Sequence, residues 1–185
     1  MAMYYLMSQL PSLDAVGENT PVPITEERFY ELCHRFLGKK AKDEIEKITL
    51  IPPRNFEKSG SLLIDTWNEG ERNLRIALGK VRAEKMKKTF DADKMDLSVE
   101  LLKTANTAVE MKDPLEAEKF LDGYRMGFLE ELRPMDTFSD ESVYYYALKL
   151  KLLLRSRQYN EEEGKTAYRT IYTSIINGDR LEDVQ

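Results

Sequence analysis

The sequence predicts an all-α protein, and three observations support this fold class. Apolar residues recur at steps of three and four along most of the chain, a spacing that places them on one face of a helix. Strong helix-start signals such as Asp113-Pro114-Leu115-Glu116 precede several of these stretches. No pair of stretches has the alternating pattern of paired β-strands. We expect about seven helices in αα-hairpin or bundle packing around one long helix, over about 61–88.

The long helix carries the clearest apolar seam. On a helix, six of its residues fall within one narrow arc: Leu63, Trp67, Gly70, Leu74, Ala77 and Val81. The small residues of this arc would allow a second helix to approach closely. After Val81 the apolar pattern stops, so we expect the basic end of the helix to project out of the core. The candidate partner contacts on this end are Arg75, Arg82, Lys85 and Lys88.

The other elements follow from local start and stop signals. Tyr4–Met7 reads as a short strand or as one to two helical turns, and a loop follows up to Pro23. Thr25 caps the next helix, which Gly38 would end in a left-handed conformation. Further helices are expected over about 40–49, 92–111 (capped by Asp91), 114–132, 140–157 and 160–177.

The last of these helices completes a single domain. Its expected buried face consists of Ala167, Tyr168, Ile171, Tyr172 and Ile175. We expect one helical domain over residues 1–178, followed by a polar tail at 179–185.

Composition limits the function classes. A net charge of −5 argues against a dedicated nucleic-acid binder, which would usually be basic. The single cysteine, Cys33, excludes an internal disulfide and suits a reducing cytosol. No signal peptide is visible, and no apolar run approaches the roughly 18 residues of a membrane-spanning helix. We expect a cytoplasmic protein that reaches the inner membrane only through a complex.

No motif in the sequence predicts a catalytic, cofactor or metal site. His34 is the only histidine and adjoins Cys33, so the two side chains would point about 100° apart on a helix and form neither a nucleophile pair nor a zinc site. A glycine-rich phosphate loop is also missing. Three consecutive tyrosines, Tyr144 to Tyr146, face three directions on a helix, which favours core packing, with one ring exposed, over an RNA-stacking platform. We expect a protein without enzymatic activity or a cofactor.

Three stretches resemble one bacterial family. The opening, Tyr4-Tyr5-Leu6-Met7-Ser8-Gln9-Leu10-Pro11-Ser12-Leu13, resembles the YYLxxxLPxL start of an uncharacterised bacterial family encoded among V-type (V/A-type) ATPase subunits. Ile24–Cys33 is similar to the ITYEEFLELC-like segment of that family. Tyr144–Leu154, together with Tyr159–Lys165, is similar to its YYxLKLxIL…FDEEKG region.

The resemblance implies association with a rotary ATPase and no catalysis. The family is similar in helical character to the C/d-type central-stalk subunit, which seats the rotor shaft on the membrane ring and transmits torque through interface contacts. The resemblance implies that the partners are ATPase subunits and that the chain has no cofactor and no catalytic residues. It leaves the oligomeric state open. Two alternatives come from the residues. One is a helical module that binds nucleic acid or acidic lipid through the basic end of the long helix; the other is a hydrolase with an unrecognised carboxylate pair.

Overall fold

A computed structural model describes residues 2–17, 20–53, 58–90, 97–158, 166 and 168–173. These ranges contain helices and no strand, which confirms the predicted all-α class. The helices are α1 (Ala2–Gln9), α2 (Glu26–Phe36), α3 (Lys39–Lys47), α4 (Leu62–Lys85), α5 (Val99–Glu110), α6 (Pro114–Glu131) and α7 (Asp140–Gln158). Residues 168–173 are helical as well. None of the described helices has the length and the hydropathy that crossing a membrane would require.

Side-chain caps set where the helices begin. Thr25 accepts a hydrogen bond from the backbone N–H of Arg28 at 3.2 Å, and Asp113 accepts one from the N–H of Leu115 at 2.8 Å. Both bonds satisfy a backbone donor that has no partner inside its own helix. These two caps confirm the sequence prediction.

The expectation that Gly38 ends α2 in a left-handed conformation is wrong. Its φ is −72°, and it caps the start of α3 instead of ending α2. The end of α2 is Leu37, whose backbone is extended and whose N–H donates to the carbonyl of Cys33. Because α3 starts at Lys39, the chain passes from one helix to the next through extended residues and needs no left-handed turn.

α4 passes through both parts of the hydrophobic core. Its first half carries Leu63, Ile64 and Trp67 into a cluster formed with α1, α2, α3 and α7. Its second half packs mainly against α5 and contributes Leu74 and Ala77 to a cluster completed by α5 and the middle of α6. All the large residues of the predicted seam are buried, so that prediction is confirmed.

The basic end of α4 packs against the protein and does not project from it as expected. Val81 and Ala83 are buried in its last turns. The helix ends at Lys85 because the chain turns at Lys87, whose φ of 53° is left-handed. The N–H of Lys88 then donates to the carbonyl of Ala83 at 2.9 Å, a closure typical of helix ends.

α5 begins later than predicted. Ser98 precedes its first residue and accepts a hydrogen bond from the N–H of Leu101 at 3.2 Å. The hydroxyl of Ser98 satisfies a backbone donor of the first turn, and Leu97 and Ser98 themselves are not helical. The expected cap, Asp91, lies outside the described residues.

The predicted last helix is present in part, and the described residues of its apolar face are exposed. Within residues 168–173, Tyr168, Ile171 and Tyr172 are 67%, 59% and 54% exposed, so the expectation that they are buried is wrong. Helical periodicity shows which residues share a face, but it does not show that another element covers that face. The remaining residues of this face and the polar tail at 179–185 lie outside the described residues.

We predict that Gly70→Ala destabilises the protein. A Cβ on Gly70 would lie 2.6 Å from Cζ of Phe128, whose ring stacks on Trp67 with 6.1 Å between the ring centroids. Because the ring must shift inside a packed core, we expect the free energy of unfolding to fall by about 1–3 kcal/mol in a urea titration. Gly127→Ala is the matched control, since no atom lies within 4 Å of its new Cβ, and it should stabilise by about 0.5–1 kcal/mol. Equal losses in both variants would contradict the close packing at Gly70.

Lys87→Gly should stabilise the protein. A lysine at φ 53° has a steric penalty that glycine lacks, because its Cβ crowds the following carbonyl. We expect the free energy of unfolding to rise by about 1 kcal/mol, measured by thermal denaturation. Lys88→Gly, next to it but outside the left-handed region, is the control and should give no gain. A loss of stability in Lys87→Gly would show that the lysine side chain contributes more than the turn.

Candidate functional site

A cleft of about 300 Å³ lies between the N-terminal segment and the turn that joins α6 to α7. Met7 and Leu10 contribute apolar surface to its lining. Polar groups come from the α6–α7 turn, through Arg133, and from α7, through Tyr145 and Lys149. The cleft therefore combines an apolar wall with two cations.

Lys149 is the central group of this site. Although it is only 6% exposed, its Nζ donates to Oδ1 of Asp14 at 2.5 Å, to Oε1 of Glu130 at 2.6 Å and to the hydroxyl of Tyr145 at 3.3 Å. An ammonium has three N–H donors, and each has an acceptor here. This full pairing is required because an unpaired buried charge would cost several kcal/mol.

Arg133 completes the group. Its guanidinium donates to Oδ1 of Asp14 at 2.6 Å and to the hydroxyl of Tyr145 at 3.1 Å, and lies 3.2 Å from Oε2 of Glu130. Tyr145 in turn donates to Oε1 of Glu130 at 2.7 Å. We call this set the Lys149 cluster; it consists of Asp14, Glu130, Arg133, Tyr145 and Lys149. Its two cations and two carboxylates sum to zero charge.

The pKa shifts keep this cluster charged. The hydrogen bond from Lys149 lowers the pKa of Asp14. Burial raises the pKa of Glu130, but bonds from Lys149 and Tyr145 outweigh burial and the net shift is downward. Burial lowers the pKa of Lys149, but its bonds to the two carboxylates outweigh that effect and the net shift is upward. At neutral pH Lys149 is therefore protonated, and it has no free amine to act as a nucleophile.

One face of α7 forms hydrogen bonds with the loop that follows α1, which we call the N-terminal loop. Tyr146 donates to the carbonyl of Pro11 at 2.9 Å, and Arg157 donates to the carbonyl of Gly17 at 2.6 Å. The ion pair of the Lys149 cluster lies between these two bonds along the helix. The first half of the loop, from Pro11 to Gly17, is thus held at three points.

The three consecutive tyrosines are part of this packing. Tyr144, Tyr145 and Tyr146 are 4%, 9% and 8% exposed, so core packing is confirmed, while the expectation of one exposed ring is wrong. The N-terminal loop and α6 cover the sides of α7 that a simple amphipathic pattern leaves open. Burial raises the pKa of Tyr144 to about 12.

An exposed apolar surface lies beside the cleft. We call it the aromatic patch; it consists of Tyr4, Tyr5, Met135 and Phe138, all more than half exposed. The ring of Tyr4 lies 5.5 Å from that of Phe138 and 6.1 Å from that of Tyr5, centroid to centroid. The patch and the cleft both include residues of α1 and of the α6–α7 turn. Exposed apolar patches of this kind typically mark protein contacts.

The four predicted contact residues do not form one free basic surface. Arg75 lies 3.9 Å from a carboxylate oxygen of the buried Glu71. Lys85 donates to a carbonyl at the C-terminal end of α5 at 2.9 Å, where it satisfies an acceptor of that helix. Arg82 and Lys88 are exposed. A partner contact through these residues stays a prediction, and two of the four have intramolecular contacts.

A second charged group lies between the two hydrophobic clusters. Nε of Arg125 donates to Oε1 of Glu71 at 2.5 Å, and its Nη1 donates to Oδ1 of Asp122 at 2.8 Å. All three residues are buried, and one oxygen of each carboxylate has no hydrogen-bond partner. In the described part of the chain, no set of three or more His, Cys, Asp or Glu side chains could hold a metal ion. We interpret this group as a structural link between α4 and α6.

A larger cleft of about 410 Å³ lies between α3 and α4. Its lining includes Trp67, Asn68 and two exposed lysines, Lys47 and Lys58. None of its charged side chains is buried in the way that Lys149 is. The cleft beside the aromatic patch is therefore the stronger candidate site.

Sequence reasoning missed the Lys149 cluster. One signal was available, because Lys149 lies within the largely apolar run Val143–Leu154, and a lysine in such a run is rarely buried without a charged partner. Nothing local to Asp14 identifies it as that partner, since the two residues are 135 positions apart.

We predict that Lys149→Met lowers the free energy of unfolding by about 2–4 kcal/mol, because it removes the cation between two carboxylates. Urea denaturation at pH 7 measures the change. Lys103→Met, an exposed lysine on α5, is the control and should change stability by less than about 0.5 kcal/mol.

Lys149→Met should also change how the free energy of unfolding depends on pH at acid pH. The pKa values of Asp14 and Glu130 are lowered in the folded state, so their stabilisation is present above their usual values, 3.8 and 4.5, and is lost as pH falls through the folded values. Wild-type stability should therefore fall below about pH 4.5, and Lys149→Met should fall less steeply. Parallel acid limbs for the two proteins would contradict the charge pairing.

Comparison with known proteins gives a match to the later part of the chain. The sequence model of a family described as "Protein of unknown function (DUF2764)" matches residues 88–179, just under half of the chain. This region contains α5, α6 and α7, and so includes Lys149, but not Asp14 or α1. No curated protein and no solved structure matches the chain. Residues 88–179 are therefore similar to a family whose function is not known.

Proposed function

We propose that this chain is a non-catalytic accessory or coupling subunit associated with a bacterial V-type rotary ATPase. It acts through protein–protein contacts in the cytoplasm and is peripheral to the inner membrane only through that complex. The exposed aromatic patch is the observation that supports a role in protein–protein contact. The resemblance of Tyr4–Leu13, Ile24–Cys33 and Tyr144–Leu154 to a family encoded among ATPase subunits supports the choice of partner.

The composition and the fixed position of the aromatic patch support a contact role. Tyrosine, phenylalanine and methionine are enriched where proteins meet, because they bury a large apolar area with few rotatable bonds. Tyr4 lies on α1, and Phe138 lies on the α6–α7 turn. The Lys149 cluster ties the end of α6 to the loop that follows α1, so the patch is formed before a partner arrives. A preformed surface loses less conformational entropy on binding.

A nucleic-acid or acidic-lipid module remains the second candidate. The observation in its favour is that Arg82 and Lys88 are exposed near the end of α4. Such a module would differ from an ATPase subunit in that its binding to nucleic acid or lipid weakens steeply as the salt concentration rises. The reason is that the release of counterions favours this kind of binding. The net charge of −5 argues against it.

We expect the chain to co-purify with the native ATPase, with recovery measured by quantitative mass spectrometry. The double variant Tyr4→Ala/Phe138→Ala should reduce this recovery at least about tenfold, which corresponds to the loss of about 1.4 kcal/mol of binding. Arg82→Glu/Lys85→Glu tests the predicted basic contact in the same assay. Circular dichroism of each purified variant shows whether it is folded.

Each result leads to a separate conclusion. Absence of the wild-type chain from an otherwise complete ATPase would contradict the proposed partner. Full recovery of the patch variant, with loss of the charge-reversal variant, would move the contact to the basic end of α4. Recovery only with incomplete complexes would indicate an assembly role.

A further inference from the structure

We propose that Arg133 and Lys149 form a carboxylate-binding site that Asp14 occupies within the free protein. In the complex, the side chain of an acidic residue from the partner protein takes the place of Asp14. This inference rests on the proposed contact function of the aromatic patch and names the chemistry of the partner segment.

Both cations point at the same oxygen. Nζ of Lys149 and Nη2 of Arg133 lie 2.5 Å and 2.6 Å from Oδ1 of Asp14. Lys149 lies on α7 and Arg133 lies on the α6–α7 turn, and their side chains are 8% and 46% exposed. The carboxylate belongs to a loop, and its side chain is 58% exposed. The buried Lys149 thus anchors the cationic side of the contact, while the side chains of Arg133 and Asp14 reach the surface, where another carboxylate can approach.

The charges of the site match a carboxylate. Without Asp14, Glu130 neutralises one of the two cations, and one net positive charge is left in a cleft of about 300 Å³. A guanidinium beside an ammonium presents several N–H donors to one anion, and such charge-assisted bonds are strong. A single negative charge balances the site, whereas a phosphate dianion would leave an excess of negative charge.

The exchange requires only a local movement. The loop on either side of Asp14 keeps its own bonds to α7, from Tyr146 to the Pro11 carbonyl and from Arg157 to the Gly17 carbonyl. The side chain of Asp14 can therefore leave while the loop stays in place.

The neighbouring surface specifies the partner segment. The aromatic patch and the cleft share α1 and the α6–α7 turn. A segment with an acidic residue next to apolar residues would cover the patch with its apolar side chains and place its carboxylate in the cleft. Charge complementarity and apolar burial thus select the same kind of segment.

Chemical rescue in the purified chain tests the site. Asp14→Ala should unfold at a lower temperature than the wild type in sodium chloride at pH 7, because two cations lose their shared acceptor. In sodium acetate at the same ionic strength, bound acetate should raise the Tm of Asp14→Ala by about 2–4 °C. The wild type, whose site is occupied, should show the same Tm in both salts.

Two further variants identify the origin of any rescue. Asp14→Ala/Arg133→Gln removes one cation and should lose the acetate effect. Asp43→Ala removes an exposed acid from α3 and should respond equally to acetate and chloride. Where Asp14→Ala does not fold, Asp14→Asn replaces it in the same comparison. Equal Tm values of the Asp14 variant in the two salts would overturn the proposed site.

Recovery with the ATPase tests the exchange. Asp14→Ala should be recovered at least as well as the wild type, because the internal competitor is gone, and Arg133→Gln should be recovered several-fold less. Weaker recovery of Asp14→Ala would overturn the exchange, even if acetate rescues its Tm. The acetate test needs no partner, so its failure would leave the proposed ATPase association intact, and a lack of that association would leave the acetate result intact.

Discussion

The buried ammonium of Lys149 constrains how the N-terminal loop, α6 and α7 meet. α7 is covered on most of its sides, and Lys149 is one of its ten buried residues. Because a buried charge must be neutralised where it lies, this lysine requires acceptors from other segments. They come from the N-terminal loop, through Asp14, and from α6, through Glu130. Pairing one charge therefore sets the position of the loop, the end of α6 and the turn into α7.

A different arrangement of charges lies deeper in the protein. Glu71, Asp122 and Arg125 are buried where α4 and α6 pass from one hydrophobic cluster to the other. The desolvation of such groups offsets most of their attraction, so they add little stability over apolar packing. Their geometry still restricts how the two helices align, because a shift by one turn would separate the carboxylates from the guanidinium. Apolar contacts alone would tolerate more alternatives.

The candidate site and the fold use the same interactions. The aromatic patch lies on α1 and on the α6–α7 turn. The Lys149 cluster joins the loop that follows α1 to Arg133 and to α7. A contact surface held in this way does not need to order itself on binding. The carboxylate of Asp14 has two roles in this view, because it stabilises the free protein and occupies the site proposed for a partner.

The sequence by itself determined the all-α class, the seam of α4 and the caps at Thr25 and Asp113. These features depend on periodicity and on contacts within one helical turn, so neighbouring residues are sufficient to predict them. The tertiary structure alone decided that Lys149 pairs with Asp14, that the basic end of α4 packs against α5 and that the apolar face of residues 168–173 is exposed. Each of these depends on segments far apart in the chain, whose meeting is set by the packing of the whole core and not by any local pattern.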